Sequence, residues 1–303
     1  MTLEQYLNVL ADKDQPLRHA DLMRLSGMTP EELGLLRRGW QNIGAQRRRA
    51  ILERLVEMTE DNLEADFNDL FRFCLIDENT EVRAKAVEGL WECNDRTLVT
   101  PLATLLRKDP AEEVRAAAAI ALGKFAVLAQ NGKMLGKDGR KINDTLLQAV
   151  RDPREQPEVI RRAIEAVAPF DTQEVRQIIQ EAYNSDQIEM RYSAVYAMGK
   201  SGDPQWLPTI LKELRNPDPA MRYEAANACG ELGEEATVPH LIPLFLDEDH
   251  QAQSSAIAAV GKIGGSLAKR ALLRCLKSSD DLAIEAAQEA LRKLEGSEIF
   301  PEP

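Results

Sequence analysis

Residues Glu113–Phe125 read EVRAAAAIALGKF, and the same order of residue types returns along most of the chain. Aligned on Val114, the equivalent positions are Val82, Val159, Met190, Met221, Ala252 and Ala283. The intervals from Val82 onward are 32, 45, 31, 31, 31 and 31 residues, so four consecutive units share one length and one interval exceeds it by 14. A fixed period of roughly 20–50 residues marks an array of supersecondary units rather than one globular core.

Inside each unit the apolar positions follow helical spacing. Met190, Ala194, Ala197 and Met198 define one stripe, and Leu207, Ile210, Leu211 and Leu214 define a second, so a unit is a pair of amphipathic helices. Small residues hold one column, Ala86, Ala118, Ala163, Ala194, Ala225, Ala256 and Ala287, where a larger side chain would hold neighbouring helices apart. Gly123, Gly199, Gly230 and Gly261 share a second column, suited to close approach or a turn. Asp109-Pro110, Asp152-Pro153, Asp203-Pro204 and Asp218-Pro219 read as helix starts, since Asp accepts from free N–H groups and Pro presets φ. Arg83, Arg115, Arg191 and Arg222 recur near first-helix starts and predict a ladder of ion pairs between repeats, each with an acidic residue of the preceding turn.

The pattern D-x-x-x-x-V-R-x-x-A-A-x-A-L-G, nearly whole in Asp109–Gly123, resembles the HEAT repeat, and the short Ala- and Gly-rich form is similar to the HEAT-like repeats of phycobilin lyases. The resemblance spans residues 45–295. It implies an all-α fold, a right-handed α-solenoid of about eight HEAT-like helical hairpins whose second helices line a concave face. Residues 1–44 are expected to form an N-terminal helical cap, residues about 128–142 an insertion, and residues 296–303 a polar, Pro-containing tail.

Composition narrows the function. The 303 residues are 44% apolar and 29% charged and carry a formal charge of −12, which opposes broad attraction to nucleic acid or anionic lipid. No apolar stretch is long enough to span a bilayer, and MTLEQYLNVLADKDQ lacks the basic-then-apolar order of a signal peptide. Cys74, Cys93, Cys229 and Cys275 are scattered without a C-x-x-C pair and read as reduced packing residues of a cytoplasmic protein.

Departures from the repeat supply the candidate binding residues. The excess AQNGKMLGKDGRK (Ala129–Lys141) contains two turn dipeptides and Lys133, Lys137 and Arg140, and predicts a protruding basic loop or small hairpin. Residues 16–54 carry eight Arg against four acids, whereas residues 57–81 carry nine acids against Arg72. Arg37, Arg38, Arg47, Arg48 and Arg49 are therefore candidates to grip an acidic partner, although a solvated helix face explains most such runs. Trp91 stands in the glycine column and Trp206 precedes an apolar stripe, making both candidate exposed anchors, while Trp40 reads as core.

Catalytic patterns are sparse. Deoxyhypusine hydroxylases, which share the repeat, bind iron through His-Glu pairs; His19, His240 and His250 are each followed by another residue. No G-x-S-x-G is present, the acids around His250 lack calcium-loop spacing, and HEAT-like DNA glycosylases imply a basic, aromatic-lined groove that this chain does not match. The sequence thus predicts a non-catalytic protein–protein interaction scaffold that binds a protein partner on its concave face, without metal or cofactor. The alternative is a phycobilin-lyase-like enzyme acting on a tetrapyrrole or other cofactor.

Overall fold

A computed structural model of the chain describes residues 3–62 and 65–299. Among these residues there are eighteen α-helices, short 3-10 turns and no strand. The chain divides into two compact units, Met1–Ala163 and Ile164–Pro303.

The first unit contains α1 (Leu3–Ala11), α2 (His19–Leu22), α3 (Pro30–Trp40), α4 (Ala45–Asp61), α5 (Asn68–Cys74), α6 (Thr80–Gly89), α7 (Val99–Lys108), α8 (Glu112–Gln130), α9 (Gly136–Arg151) and the start of α10 (Pro157–Val167). Helix α5 packs on α6, α8 packs on both α7 and α9, and the first helices α4, α6 and α8 pack side by side. The N-terminal segment is tied down by polar contacts as well as packing. Tyr6 Oη donates to the Asp21 carbonyl at 2.7 Å, and Thr29 and Glu32 form a reciprocal capping box at the start of α3. Trp40, at the end of α3, is fully buried and donates from Nε1 to Asp77 Oδ2 at 2.9 Å.

The second unit continues with α11 (Gln173–Tyr183), α12 (Ile188–Ser201), α13 (Leu207–Glu213), α14 (Pro219–Leu232), α15 (Val238–Leu241), α16 (His250–Ile263), α17 (Gly265–Cys275) and α18 (Asp281–Ile299). Here the closest backbone approach is between first helices. A Cβ on Gly199 would lie 2.6 Å from Ala228 Cα, one on Gly230 3.0 Å from Ala259 Cα, and one on Gly261 2.7 Å from Ala290 Cβ. Only hydrogen at these positions lets α12, α14, α16 and α18 touch backbone to backbone. The small-residue column does the same throughout: all seven alanines from Ala86 to Ala287 are fully buried.

Three local expectations are corrected. Asp218 and Asp203 do cap, accepting from Ala220 and Gln205 amides at 3.1 and 2.9 Å. Asp109 and Asp152 instead close turns, accepting from Ala111 and Arg154, and their helices begin at Glu112 and Pro157. Residues 128–142 are not a protruding loop. Helix α8 runs through Gln130 and α9 starts at Gly136, leaving Asn131–Leu135 as the turn. The reason is packing: a Cβ on Gly139 would sit 3.2 Å from Ala129 Cβ, so the added turns of the two helices wind against each other as a longer hairpin. Helix α18 extends to Ile299, into the expected tail, and Phe300–Pro303 lie outside the described residues.

Candidate functional site

The recurring arginines build a ladder, with a geometry different from the expected one. Arg83 donates from Nη1 to the carbonyls of Asp77 and Glu78 in the turn before its own helix, at 2.9 and 3.1 Å. Its Nε and Nη2 donate to Asp109 at 2.7 and 2.8 Å, and Asp109 belongs to the following turn, not the preceding one. Arg115 repeats this with the Asp109 and Pro110 carbonyls and with Glu155, and Arg222 repeats it with the Asn216 and Pro217 carbonyls and with Asp247. Each guanidinium therefore closes one turn and clamps the next.

Ile160 and Ile284 interrupt the arginine column, and at two other rungs a different donor takes the arginine's place. Gln253 donates to the Phe245 carbonyl and to Asp280 Oδ2 at 2.9 and 2.8 Å, copying the arginine's contacts with an amide. Two repeats earlier Tyr192, not Arg191, reaches the acid, its hydroxyl donating to Asp218 Oδ2. A second series at the ends of the first helices joins Lys200 to Glu231 at 3.0 Å and Lys262 to Glu231 at 2.8 Å. Burial pushes the Glu231 carboxyl up, but hydrogen bonds from Lys262 and Lys200 outweigh it and leave the group below its ordinary value.

The N-terminal arginines do not form one free patch. Arg48 is 1% exposed, donating to the Ile43 carbonyl at 2.8 Å and to Asp77 Oδ1 at 3.0 Å, which takes it out of any surface. Arg47 bonds the Leu10 and Gln15 carbonyls, Arg49 pairs with Glu53 and Glu81, and Arg37 stacks 5.4 Å from the Phe73 ring centroid. Arg38 is exposed. The period held a signal for Arg48: it lies three residues before buried Ile51, as Arg83 lies three before Ala86.

The two tryptophans separate. Trp206 is only 6% exposed, and among the described residues no acceptor reaches its Nε1, so it is packing and not an exposed anchor. Trp91 is 50% exposed. Helix α6 stops at Gly89, two residues short of it, because a ring in the glycine column cannot face a neighbouring backbone. Lys124 of α8 then serves the frayed end, its Nζ donating to the Trp91 and Cys93 carbonyls at 2.6 and 2.7 Å. Burial holds the Lys124 ammonium below its ordinary value. Sequence reasoning missed this lysine, which follows Gly123 directly.

The same turn is fastened to α9. Arg96 lies 3.3 Å from Asp138, and Lys141 Nζ donates to Thr100 Oγ1 at 2.8 Å. Trp91 and the segment carrying exposed Lys133, Lys137 and Arg140 thus belong to one edge of Met1–Ala163, where the helices of each hairpin turn back. Among the described residues, no group of three or more His, Cys, Asp or Glu is placed to hold a metal ion, and no helix is long and apolar enough to cross a membrane. All four cysteines are free.

Stacked hairpins tied through periodic first-helix contacts define an α-solenoid repeat protein. HEAT repeats match residues 69–130, 143–211 and 207–292, and the chain belongs to that family. No curated protein matches it. Among solved structures it is similar to the CpcE–CpcF complex of phycocyanin lyase from Nostoc sp., at 18% identity and a TM-score of 0.53, covering 93% of this chain and 99% of that one. It is similar to yeast importin-beta at 14% identity and a TM-score of 0.52, covering 96% of this chain but 46% of that one. At these identities the likeness is one of fold.

Proposed function

We propose that the chain is a non-catalytic scaffold that docks a protein partner along its concave face, in the cytoplasm. The observation that carries this reading is how the polar groups are used. The recurring charged columns go into fastening one repeat to the next, through Arg48–Asp77, Arg83–Asp109, Arg115–Glu155, Arg222–Asp247 and Lys200–Glu231–Lys262. Large apolar side chains are left to solvent in each unit, among them Trp91 and Ile120 in the first and Leu246 and Leu273 in the second. Such a surface suits recognition by complementarity rather than bond-making chemistry. The test is affinity capture with cross-linking from the native cell, followed by direct titration of each recovered protein. Specific, saturable binding of at least one supports the reading, and failure of every recovered protein to bind in titration rejects it.

A second reading, a lyase-like handler of a tetrapyrrole, draws on the fold shared with the phycocyanin lyase complex over nearly the whole of both chains. Absorbance titration with bilins separates the two. A spectral shift with retained pigment favours the lyase-like reading, and an unchanged spectrum removes it.

A further inference from the structure

The longer hairpin α8/α9 does more than lengthen a repeat. Its turn carries Lys133 and Leu135, and the first turns of α9 carry Lys137 and Arg140, all exposed. No ion pair is formed by these three cations among the described residues; Asp138 is engaged with Arg96 at 3.3 Å and Asp95 with Arg72 at 2.8 Å, and Asp144, one turn beyond Arg140 on α9, is exposed. Glu92 is the exposed acid left on the adjoining turn. Residues 129–141 carry four cations, Lys133, Lys137, Arg140 and Lys141, against Asp138 alone, in a chain whose formal charge is −12.

Apolar side chains are exposed on the same edge. Trp91 projects from the α6–α7 turn, Val127 from the last turns of α8 and Leu135 from the α8–α9 turn, each more than a third exposed. Leu135 also occupies the N-cap of α9, where a side-chain oxygen ordinarily accepts from the first amides, and it offers none. The two turns are held in fixed relation by Lys124 on the Trp91 and Cys93 carbonyls and by Lys141 on Thr100.

We infer that this edge docks a short acidic segment of a partner protein, with an apolar side chain of that segment seated among Trp91, Val127 and Leu135 and its carboxylates on Lys133, Lys137 and Arg140. The inference rests on the scaffold reading and gives its partner a chemistry. Charge complementarity selects the occupant: three free cations beside exposed apolar groups suit two or three carboxylates around an anchor. A nucleic acid carries its charge along its whole length and would run past these few cations onto the rest of an acidic chain, whereas a short acidic segment ends with them.

The experiment uses the full chain and a fluorescent eight-residue probe of Asp and Glu with a central Leu-Phe, read by anisotropy. Its comparators are the probe with Ala-Ala at the centre, a Lys/Arg counterpart and a single-stranded oligonucleotide. Saturable binding of the acidic probe is expected, weakened about tenfold or more by the triple variant Lys133→Glu/Lys137→Glu/Arg140→Glu, by Trp91→Ala and by the Ala-Ala centre. It also weakens with added salt. All the substituted positions are exposed, and unchanged circular dichroism and melting midpoint verify the fold of each variant. No binding at roughly millimolar probe, binding indifferent to these substitutions, or equal binding of the oligonucleotide overturns the inference. Concentration-dependent self-association abolished by the triple variant assigns the edge to a second copy and overturns it too. A partner protein bound equally by wild type and triple variant overturns this edge while leaving the scaffold reading intact.

Discussion

Arg222 and Asp247 face each other fork to fork, Nε to Oδ2 and Nη2 to Oδ1, both at 2.7 Å, across the step from one repeat to the next. Both side chains are largely buried, and the remaining Nη1 is spent on the Asn216 and Pro217 carbonyls. Arg222→Ala therefore strips several charge-assisted bonds and leaves Asp247 buried without its counter-ion. A loss of about 2–4 kcal/mol is expected, read as a lower urea midpoint. A midpoint within error of wild type would show that the ladder is ornamental.

The same pair sets an acid sensitivity. Hydrogen bonding from Arg222 holds the Asp247 carboxyl below its ordinary value in the folded chain, burial opposing and the Asp249 amide assisting. A depressed folded pKa contributes stability that is present above the unfolded value, near 4, and is lost as pH falls through the folded value. The gap in melting midpoint between wild type and Asp247→Asn should accordingly be wide at neutral pH and close on acidification below about pH 4. A gap that grows towards acid contradicts this linkage.

Backbone contact between first helices makes the glycine column intolerant of one carbon. Gly199→Ala drives its Cβ to 2.6 Å from Ala228 Cα and should cost about 1–3 kcal/mol. Gly230→Ala, at 3.0 Å, should cost less. Gly202, with φ of +68° and open space around it, is sensitive for a different reason, and Gly202→Ala should cost about 1 kcal/mol. Thermal melts of the three variants rank them.

Two buried indoles offer a matched contrast. Trp40→Phe removes the 2.9 Å bond to Asp77 and disturbs the buried Arg48 pair, so a loss of about 1.5–3 kcal/mol is expected. Trp206→Phe deletes an N–H that has no acceptor among the described residues, so its cost should stay within about 1 kcal/mol. Equal losses in chemical denaturation would refute the distinction.

Thiol reactivity should single out Cys93. It is half-buried with its Sγ 3.5 Å from Arg72 Nη2, while Cys74, Cys229 and Cys275 are buried. Burial pushes the Cys229 thiol up to about 12 and raises those of Cys74 and Cys275 as well. Brief alkylation of the native chain, located by peptide mass spectrometry, should label Cys93 first.

Much of the architecture was readable because the period itself is a structural measurement. Ala194, Ala225 and Ala256 recur at one interval because each fills the same gap between first helices, and burial follows directly. What misled was local punctuation read without its packing partner. Asn131-Gly132 and Asp138-Gly139 look like turns, yet Gly139 is needed for contact with Ala129, so only the first dipeptide lies in a turn. Sequence shows that Arg83 lies between two acidic turns but not which turn its Nε faces, and the structure turns it to Asp109 of the following one. At the candidate edge, Trp91 and the cations were visible singly. Their adjacency was not, since it depends on Lys124 and Arg96 bridging segments some thirty to forty positions apart.

The paired extension of α8 and α9 limits how this repeat can be shortened. Removing residues from one helix of the hairpin alone would rotate everything beyond the cut by about 100° per residue and turn its apolar stripe towards water. Viable shortenings must delete whole helical turns in matched numbers from both sides, so the length of this protrusion is adjustable only in coarse, coordinated steps.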